Sequence, residues 1–385
     1  MFVPLFVLRN AFRHKLRTTL TMVGIIVAIV AFGLLRTIVD AWYAGAEATS
    51  SARLITRNAI SLVFALPMNY AQKIRQVEGV SRVSWANWFG GVYITESNFF
   101  PQFAVDAATY LELYPEYVFK PEEKKAFQVD RQGVVVGRKL ADLYRWKIGD
   151  QVPLRGTIYP GTWTFTLRGI YDGADAKVDE SQFLFHWSYL NETVKARFPR
   201  RGDLAGVYVL EIRDPGQAAE ISARVDATFK NSLAETLTET EKAFQLGFVA
   251  MTEAILVAIQ AVSFVVIVII MAVMANTMAM TARERYSEYA TMKALGFGGG
   301  FVAMLIIAES LSIALGGGLI AVALTIPVAD IFGNAMGTLF PVFFVSHETM
   351  LMQIGAALVV GLVASAVPAW RAGRIRIVDG LRSVG

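Results

Sequence analysis

The sequence has no cysteine, so disulfides and thiolate-ligated zinc or iron–sulfur sites are excluded, and any part facing an oxidising compartment must be held by its own core. Histidine is nearly as scarce. His14, His186 and His347 stand far apart, with no H-x-x-x-H spacing and no adjacent acidic set, so a metal site has little to be built from. No nucleophile motif organises a Ser/His/Asp constellation. The phosphate-binding pattern G-x-x-x-x-G-K-[ST] is missing, and the stretch "GFGGGF" at 296–301 is followed by no Lys or hydroxyl residue to hold phosphate and magnesium. Charge is sparse too: 18% of the residues are charged against 55% hydrophobic, and the mean hydropathy of +0.46 is too apolar for an ordinary soluble protein.

What is present is a set of long apolar runs. Four are long enough to cross a bilayer, which takes about 20 residues each. The first is expected over 18–40, passing Arg36 and Asp40, which pair at the far interface. The second is uncharged from Ala254 to Ala282, about 43 Å of helix against about 30 Å of hydrocarbon, so it projects beyond the lipid and is assigned to 249–281. The third, 301–329, holds one acid, Glu309, and the cluster Gly316, Gly317 and Gly318, which favours close helix packing. The fourth, 349–370, is expected to end at Pro368.

Lys and Arg in the short flanks set the orientation. Arg9, Arg13, Lys15 and Arg17 precede the first run; Arg283, Arg285 and Lys293 separate the second from the third; Arg371, Arg374, Arg376 and Arg382 follow the fourth. The 330–348 loop has neither Lys nor Arg. Both termini and the 282–300 loop are therefore expected in the cytoplasm, and 41–248 and 330–348 outside it. Residues 1–17 read as an interfacial amphipathic helix rather than a signal peptide, because their charges follow the apolar cluster and no small-residue cleavage site precedes the run. The tail is 371–385. Basic clusters beside membrane spans argue against nucleic-acid binding.

The 41–248 insertion is long enough for an independent α/β domain. Helix and strand patterns over 45–90 and again over 201–245 suggest one subdomain split in sequence, with a strand-rich middle part over 91–200. Trp85, Trp88, Phe89, Phe99, Phe100 and Phe103 form an aromatic cluster that reads first as core and second as a surface for lipid or a partner.

The 282–300 segment, "ARERYSEYATMKALGFGGG", leaves one apolar run and returns to another. Read as a continuous helix, it carries Glu284, Glu288, Met292 and Leu295 on one stripe and Tyr286, Tyr289, Lys293 and Phe297 on another. Gly296 is placed to end the helix and Gly298 to Gly300 to turn the chain back. Composition leaves two readings open, a docking helix and a solvated connector. Glu309 is costly in lipid unless satisfied, for instance by Ser310, Ser312 or another hydroxyl; structural and proton-relay or substrate roles both remain open for it.

In this segment Glu284, Arg285, Glu288, Lys293, Ala294, Leu295 and Gly296 match the pattern E-R-x-x-E-x-x-x-x-(R/K)-A-L-G. Glu309 with the glycine cluster, and the tail "PAWRAGRIRIVDGLR", match further motifs, although Ile377 replaces a usual proline and Gly380 an alanine. By these residues the chain resembles the MacB/FtsX-like, mechanotransmitting (type VII) ABC transporter permeases, which include the lipoprotein-releasing permeases. The resemblance implies an α-helical membrane protein with four transmembrane helices and a large α/β extracytoplasmic domain inserted between helices 1 and 2. It further implies an inner-membrane permease that is not itself an enzyme and binds no cofactor, with ATP and Mg held by a separate cytoplasmic ABC ATPase. The segment from Glu284, Arg285, Glu288 and Tyr289 to Met292, Lys293, Leu295 and Gly296 would then be the ATPase-coupling helix. Implied partners are a second copy of the chain or a nonidentical permease, membrane lipids, and a periplasmic adaptor with an outer-membrane channel. The implied activity is export of a drug, peptide or lipid-like molecule; lipoprotein or lipid extraction, and FtsX-like control of a cell-wall hydrolase, are the alternatives.

Overall fold

The computed structural model describes residues 10, 11, 13–47, 49–338, 340 and 342–376. Most of the amphipathic helix expected over 1–17, and Ile377, Gly380, Leu381 and Arg382 of the tail, lie outside the described residues. The chain divides into two units, Met1–Asp40 with Glu253–Asn334 and Phe343–Gly385, and Ala41–Thr252 with Ala335–Val342.

Helix α1, Lys15–Glu47, runs from the first unit into the second and is followed there by β1, Arg53–Asn58. Then come β2 (Leu66–Pro67), α2 (Tyr70–Arg75), β3 (Val80–Trp88), β4 (Gly91–Val92), β5 (Gln102–Val105), α3 (Tyr110–Leu113), β6 (Tyr117–Val118) and α4 (Pro121–Val129). β7 (Gly133–Gly137), α5 (Arg138–Tyr144), β8 (Gln151–Gly156), β9 (Gly161–Gly173), β10 (Phe183–His186) and α6 (Trp187–Arg197) follow. The inserted unit closes with β11 (Leu204–Ala205), β12 (Val207–Ile212), α7 (Ala218–Thr228), β13 (Thr236–Thr240) and α8 (Glu241–Ala250).

The main sheet has the order β13-β1-β12-β3-β5-β10-β7-β9-β8-β4. Its first four strands are antiparallel neighbours, and with α2 and α7 they make a βαββαβ arrangement of ferredoxin-like order. The residues between β3 and β12 are the middle part, which holds α3 to α6 besides its strands β4 to β10. It extends the same sheet through the antiparallel β3–β5 and parallel β5–β10 pairs rather than forming a separate one. The period-2 alternation of strands shows in what each residue joins. Leu54, Val83, Tyr208 and Leu210 pack with Ile74, Ile221, Val225 and Phe229 under the two helices. Ile55, Ala86, Val105, Val135, Leu184 and Val209 form one apolar face across both halves, against Tyr110, Tyr114 and Phe127. A third cluster is centred on the rings of Phe89, Phe100, Phe165, Phe183 and Phe185, with Val, Leu and Ala around them.

The membrane unit consists of α1 with α9 (Glu253–Glu284), α10 (Tyr286–Ala294), α11 (Gly299–Met336) and α12 (His347–Gly373). The four long helices are apolar enough to span a bilayer, and at 1.5 Å per residue α9 is about 48 Å long. Its core joins Ile25 and Ile29 of α1, Ile270 and Met274 of α9, Ile306 and Ala314 of α11, and Ala357 and Val360 of α12. Pro368 does not end the last helix. It is buried inside α12, and packing of Ala369 and Ala372 in the same core carries the helix on to Gly373.

Candidate functional site

The stretch expected to be one amphipathic helix is broken. Arg285, at φ −106° and ψ 15°, separates α9 from α10, so Glu284 and Glu288 lie on different helices and the continuous stripes do not form. The break sends the Arg285 side chain inward, to 5% exposure, where its guanidinium donates to Glu288 Oε2 at 3.0 Å and Glu309 Oε2 at 2.9 Å and lies 5.4 Å from the Tyr289 ring centre. Glu309 is 6% exposed, and its charge partner is Arg285 rather than a hydroxyl. Ser310 instead donates to the Gly361 carbonyl at 2.7 Å, and Ser312 to that of Ala308 within its own helix.

Two further arginines reach this segment. Arg17 forms a bidentate pair with Glu284 at 2.6 and 2.8 Å, and Arg13 donates to Glu288. Arg13 and Arg17 are four residues apart, as are Glu284 and Glu288, and this matched spacing is the sequence signal that marks the two ion pairs. Burial alone would push the Glu288 carboxyl up, but hydrogen bonds from Arg285 and Arg13 outweigh it and hold the group below the usual carboxylate range. Tyr289 is buried and its phenol is pushed up to about 12, chiefly by desolvation. It belongs to the core, not to a docking surface.

Lys293 is tied down as well, donating from Nζ to the carbonyls of Gly373 at 2.6 Å and Ile375 at 2.9 Å. The close approach depends on Gly299, where a Cβ would lie 2.2 Å from the Gly373 oxygen. Helix α10 ends in a Schellman motif: Phe297 N–H donates to the Met292 carbonyl, Gly296 N–H to that of Lys293, and Gly296 takes the left-handed φ of +96°. Past that cap the chain presents Leu295 at 74% exposure and Phe297 at 46%, the latter stacked on Phe301 at 4.9 Å. Met292 is half-buried. The segment thus combines an ion-paired base with an exposed apolar tip held by a turn.

The three glycines of α11 serve two neighbours. Gly316 and Gly317 face Met22 and Ile25 of α1, while a Cβ on Gly318 would lie 2.6 Å from the Ala357 Cβ of α12. Sequence reasoning passed over Gln353. It is fully buried in α12 and donates from Nε2 to the Ile29 carbonyl at 2.9 Å and to Thr325 Oγ1 at 2.7 Å, joining three helices. It also missed Thr349, whose hydroxyl donates to Asp40 at 2.8 Å beside the Arg36–Asp40 pair at 3.0 Å. Hydropathy hides such residues, because one amide or hydroxyl hardly changes a long apolar window. Among the described residues no group of His, Cys, Asp and Glu is placed to hold a metal.

Four apolar helices and an α/β unit inserted between the first and second define a multi-pass membrane protein. Residues 18–228, more than half of the chain, match the MacB-like periplasmic core domain, and residues 261–377 match the FtsX-like permease C-terminal model. The chain belongs to the MacB/FtsX-like family of ABC transporter permeases. No curated protein matches it. Solved structures similar to part of it include the extracellular domain of the noncanonic ABC-type transporter YknZ from Gram-positive bacteria, at 10% identity and a TM-score of 0.34, covering 49% of this chain and 98% of that one. The periplasmic region of MacB from Actinobacillus actinomycetemcomitans is another, at 8% identity and a TM-score of 0.36, covering 51% and 92%.

Proposed function

We propose that this permease carries motion from a separate cytoplasmic ABC ATPase, through the elbow of residues 285–298, into its inserted domain on the outer side of the inner membrane, where a substrate is extruded. The observation that carries the reading is the contrast within the elbow. Its base is tied by Arg285–Glu309 to α11, by Arg13–Glu288 to the residues before α1 and by Lys293–Gly373 to the end of α12, whereas Leu295 and Phe297 stand exposed past the cap. A docked partner that pushes on this tip would displace α9 and α11 together instead of bending a loose loop, and exposed apolar side chains suit the core of a protein interface. ATP and Mg belong to the partner. The working unit is a dimer, of two copies or with a second permease, and both ends of the chain face the cytoplasm. An adaptor and outer-membrane channel complete the export route for a drug, peptide or lipid-like molecule.

The test leaves the ion pairs intact. Leu295→Asp with Phe297→Asp should insert and fold normally, yet lose ATPase co-purification and transporter-stimulated hydrolysis. Unchanged stimulation would remove the coupling role from the tip. Glu288 is unsuitable for this purpose, because its replacement would also remove the partner of Arg13 and one of the two carboxylates on Arg285.

A further inference from the structure

The inserted unit contains a partly open cavity of about 300 Å³, at the small end of the range for small-molecule sites, about 300–1,000 Å³. Its floor is the apolar sheet face, with Ile55, Val207 and Val209, and its walls include Trp42 of α1 and Phe244 of α8. On one side stands a ladder of Tyr110, Tyr114 and Tyr117, with successive ring centres 4.7 and 5.3 Å apart. Neither the family assignment nor the coupling function uses this space.

The charges around it do not balance. Arg53, 4% exposed, donates from Nε to Glu241 at 2.6 Å and from both Nη atoms to Glu116, and its guanidinium carbon lies 4.2 Å from the Tyr114 ring centre. One arginine thus faces two carboxylates, of which Glu241 is 5% exposed and also accepts the Tyr114 hydroxyl at 2.9 Å. Lys177 and Asp179 are the other charged residues lining the cavity, one of each sign, and Lys177 is paired with Glu47 at 3.5 Å. The lining therefore holds two cations and three carboxylates. Burial keeps the Tyr114 and Tyr117 phenols protonated, so they add no further charge. The excess negative charge lies partly out of water, with Glu241 buried and Glu116 and Asp179 half-buried, and a cation in the same space would offset it. Aromatic rings favour a cation with an organic body over a hydrated metal ion.

We propose that this cavity binds a small organic cation, an ammonium group carried on an aromatic or aliphatic body. The ammonium sits beside the Arg53–Glu116–Glu241 cluster and the body against Trp42, Phe103 and Phe244. The volume is too small for a folded partner or a whole lipid, and the charge disfavours fatty acids and other anions. The site stands independently of the elbow's role in coupling.

The experiment uses the intact chain in nonionic detergent without any ATPase, titrated calorimetrically with benzyltrimethylammonium and, in parallel, with benzenesulfonate and benzyl alcohol. Saturable binding of the ammonium compound alone is expected. Glu116→Gln, which removes the excess charge, should weaken it about tenfold, and Phe103→Leu, which leaves the ion cluster whole, should weaken it several-fold. Melting temperatures of both variants separate lost binding from lost folding. Equal binding of all three probes, no saturable binding at millimolar concentration, or wild-type affinity in two folded variants would overturn the proposal.

Discussion

The two units of this chain reach a packed interior by opposite means. In the membrane unit helices approach through small residues, with Gly317 against Ile25, Gly318 against Ala357 and Gly361 against Ala314, and single polar clasps such as Gln353 and Arg285–Glu309 set which helix meets which. In the inserted unit large rings fill the space, as where Phe89 meets Phe165, Phe185 and Trp163 at centre distances of 6.2, 5.2 and 5.4 Å. The solvent explains the contrast. Lipid tails are as apolar as leucine, so burying leucine between helices gains little there, and close contact plus satisfied polar groups must supply the specificity. In water, removing apolar area is itself the driving force, and aromatic side chains remove the most.

This comparison predicts that the membrane unit suffers when atoms are added or a clasp is cut, and the inserted unit when atoms are taken away. Cutting the clasp has the largest expected effect. Arg285→Leu leaves Glu309 buried without its partner and should cost about 3–5 kcal/mol, whereas the double variant with Glu309→Leu should recover most of the melting temperature. A double variant no more stable than the single one would show that the pair is not the clasp. Phe89→Ala in the inserted unit should cost a similar amount, about 3–5 kcal/mol, because it opens a cavity among rings that cannot collapse. Gly318→Ala is expected to cost about 1–3 kcal/mol, with partial relief when combined with Ala357→Gly; a neutral result would mean the helices part easily at that crossing.

The smallest effect is a pH dependence in the inserted unit. His186 is buried and hydrogen-bonded through Nε2 to the Phe127 carbonyl at 2.6 Å, and desolvation, partly offset by that bond, lowers its folded-state pKa below 6.5. The unfolded chain therefore takes up the proton more readily. The contribution of His186 is fully present above about pH 6.5, falls as the pH drops below that value, and levels off once the folded pKa is passed. Denaturant titrations between pH 7.5 and 5 should show this slope in the wild type and a shallower one in His186→Gln.

Much of this architecture is legible in the amino-acid order alone. Long uncharged runs, basic flanks and strand alternation depend on neighbours within a few residues, so four spanning helices and an inserted α/β unit follow from local chemistry. The break at Arg285 was not legible, because the helical period of "ARERYSEYATMKALG" continues through it. Arg285 meets Glu309, 24 positions away, and such a partner lies beyond the reach of any local period. The same holds for the single sheet that joins the two halves of the insertion, which rests on the β3–β5 and β5–β10 pairings, and for the cavity beside Arg53, whose carboxylates come from Glu116 and Glu241. Sequence determined which segments leave water and which face of each strand is apolar, since both are set by side chains within one or two turns. Only the tertiary structure decided which buried charge meets which, because that requires distant segments to be brought within hydrogen-bonding distance.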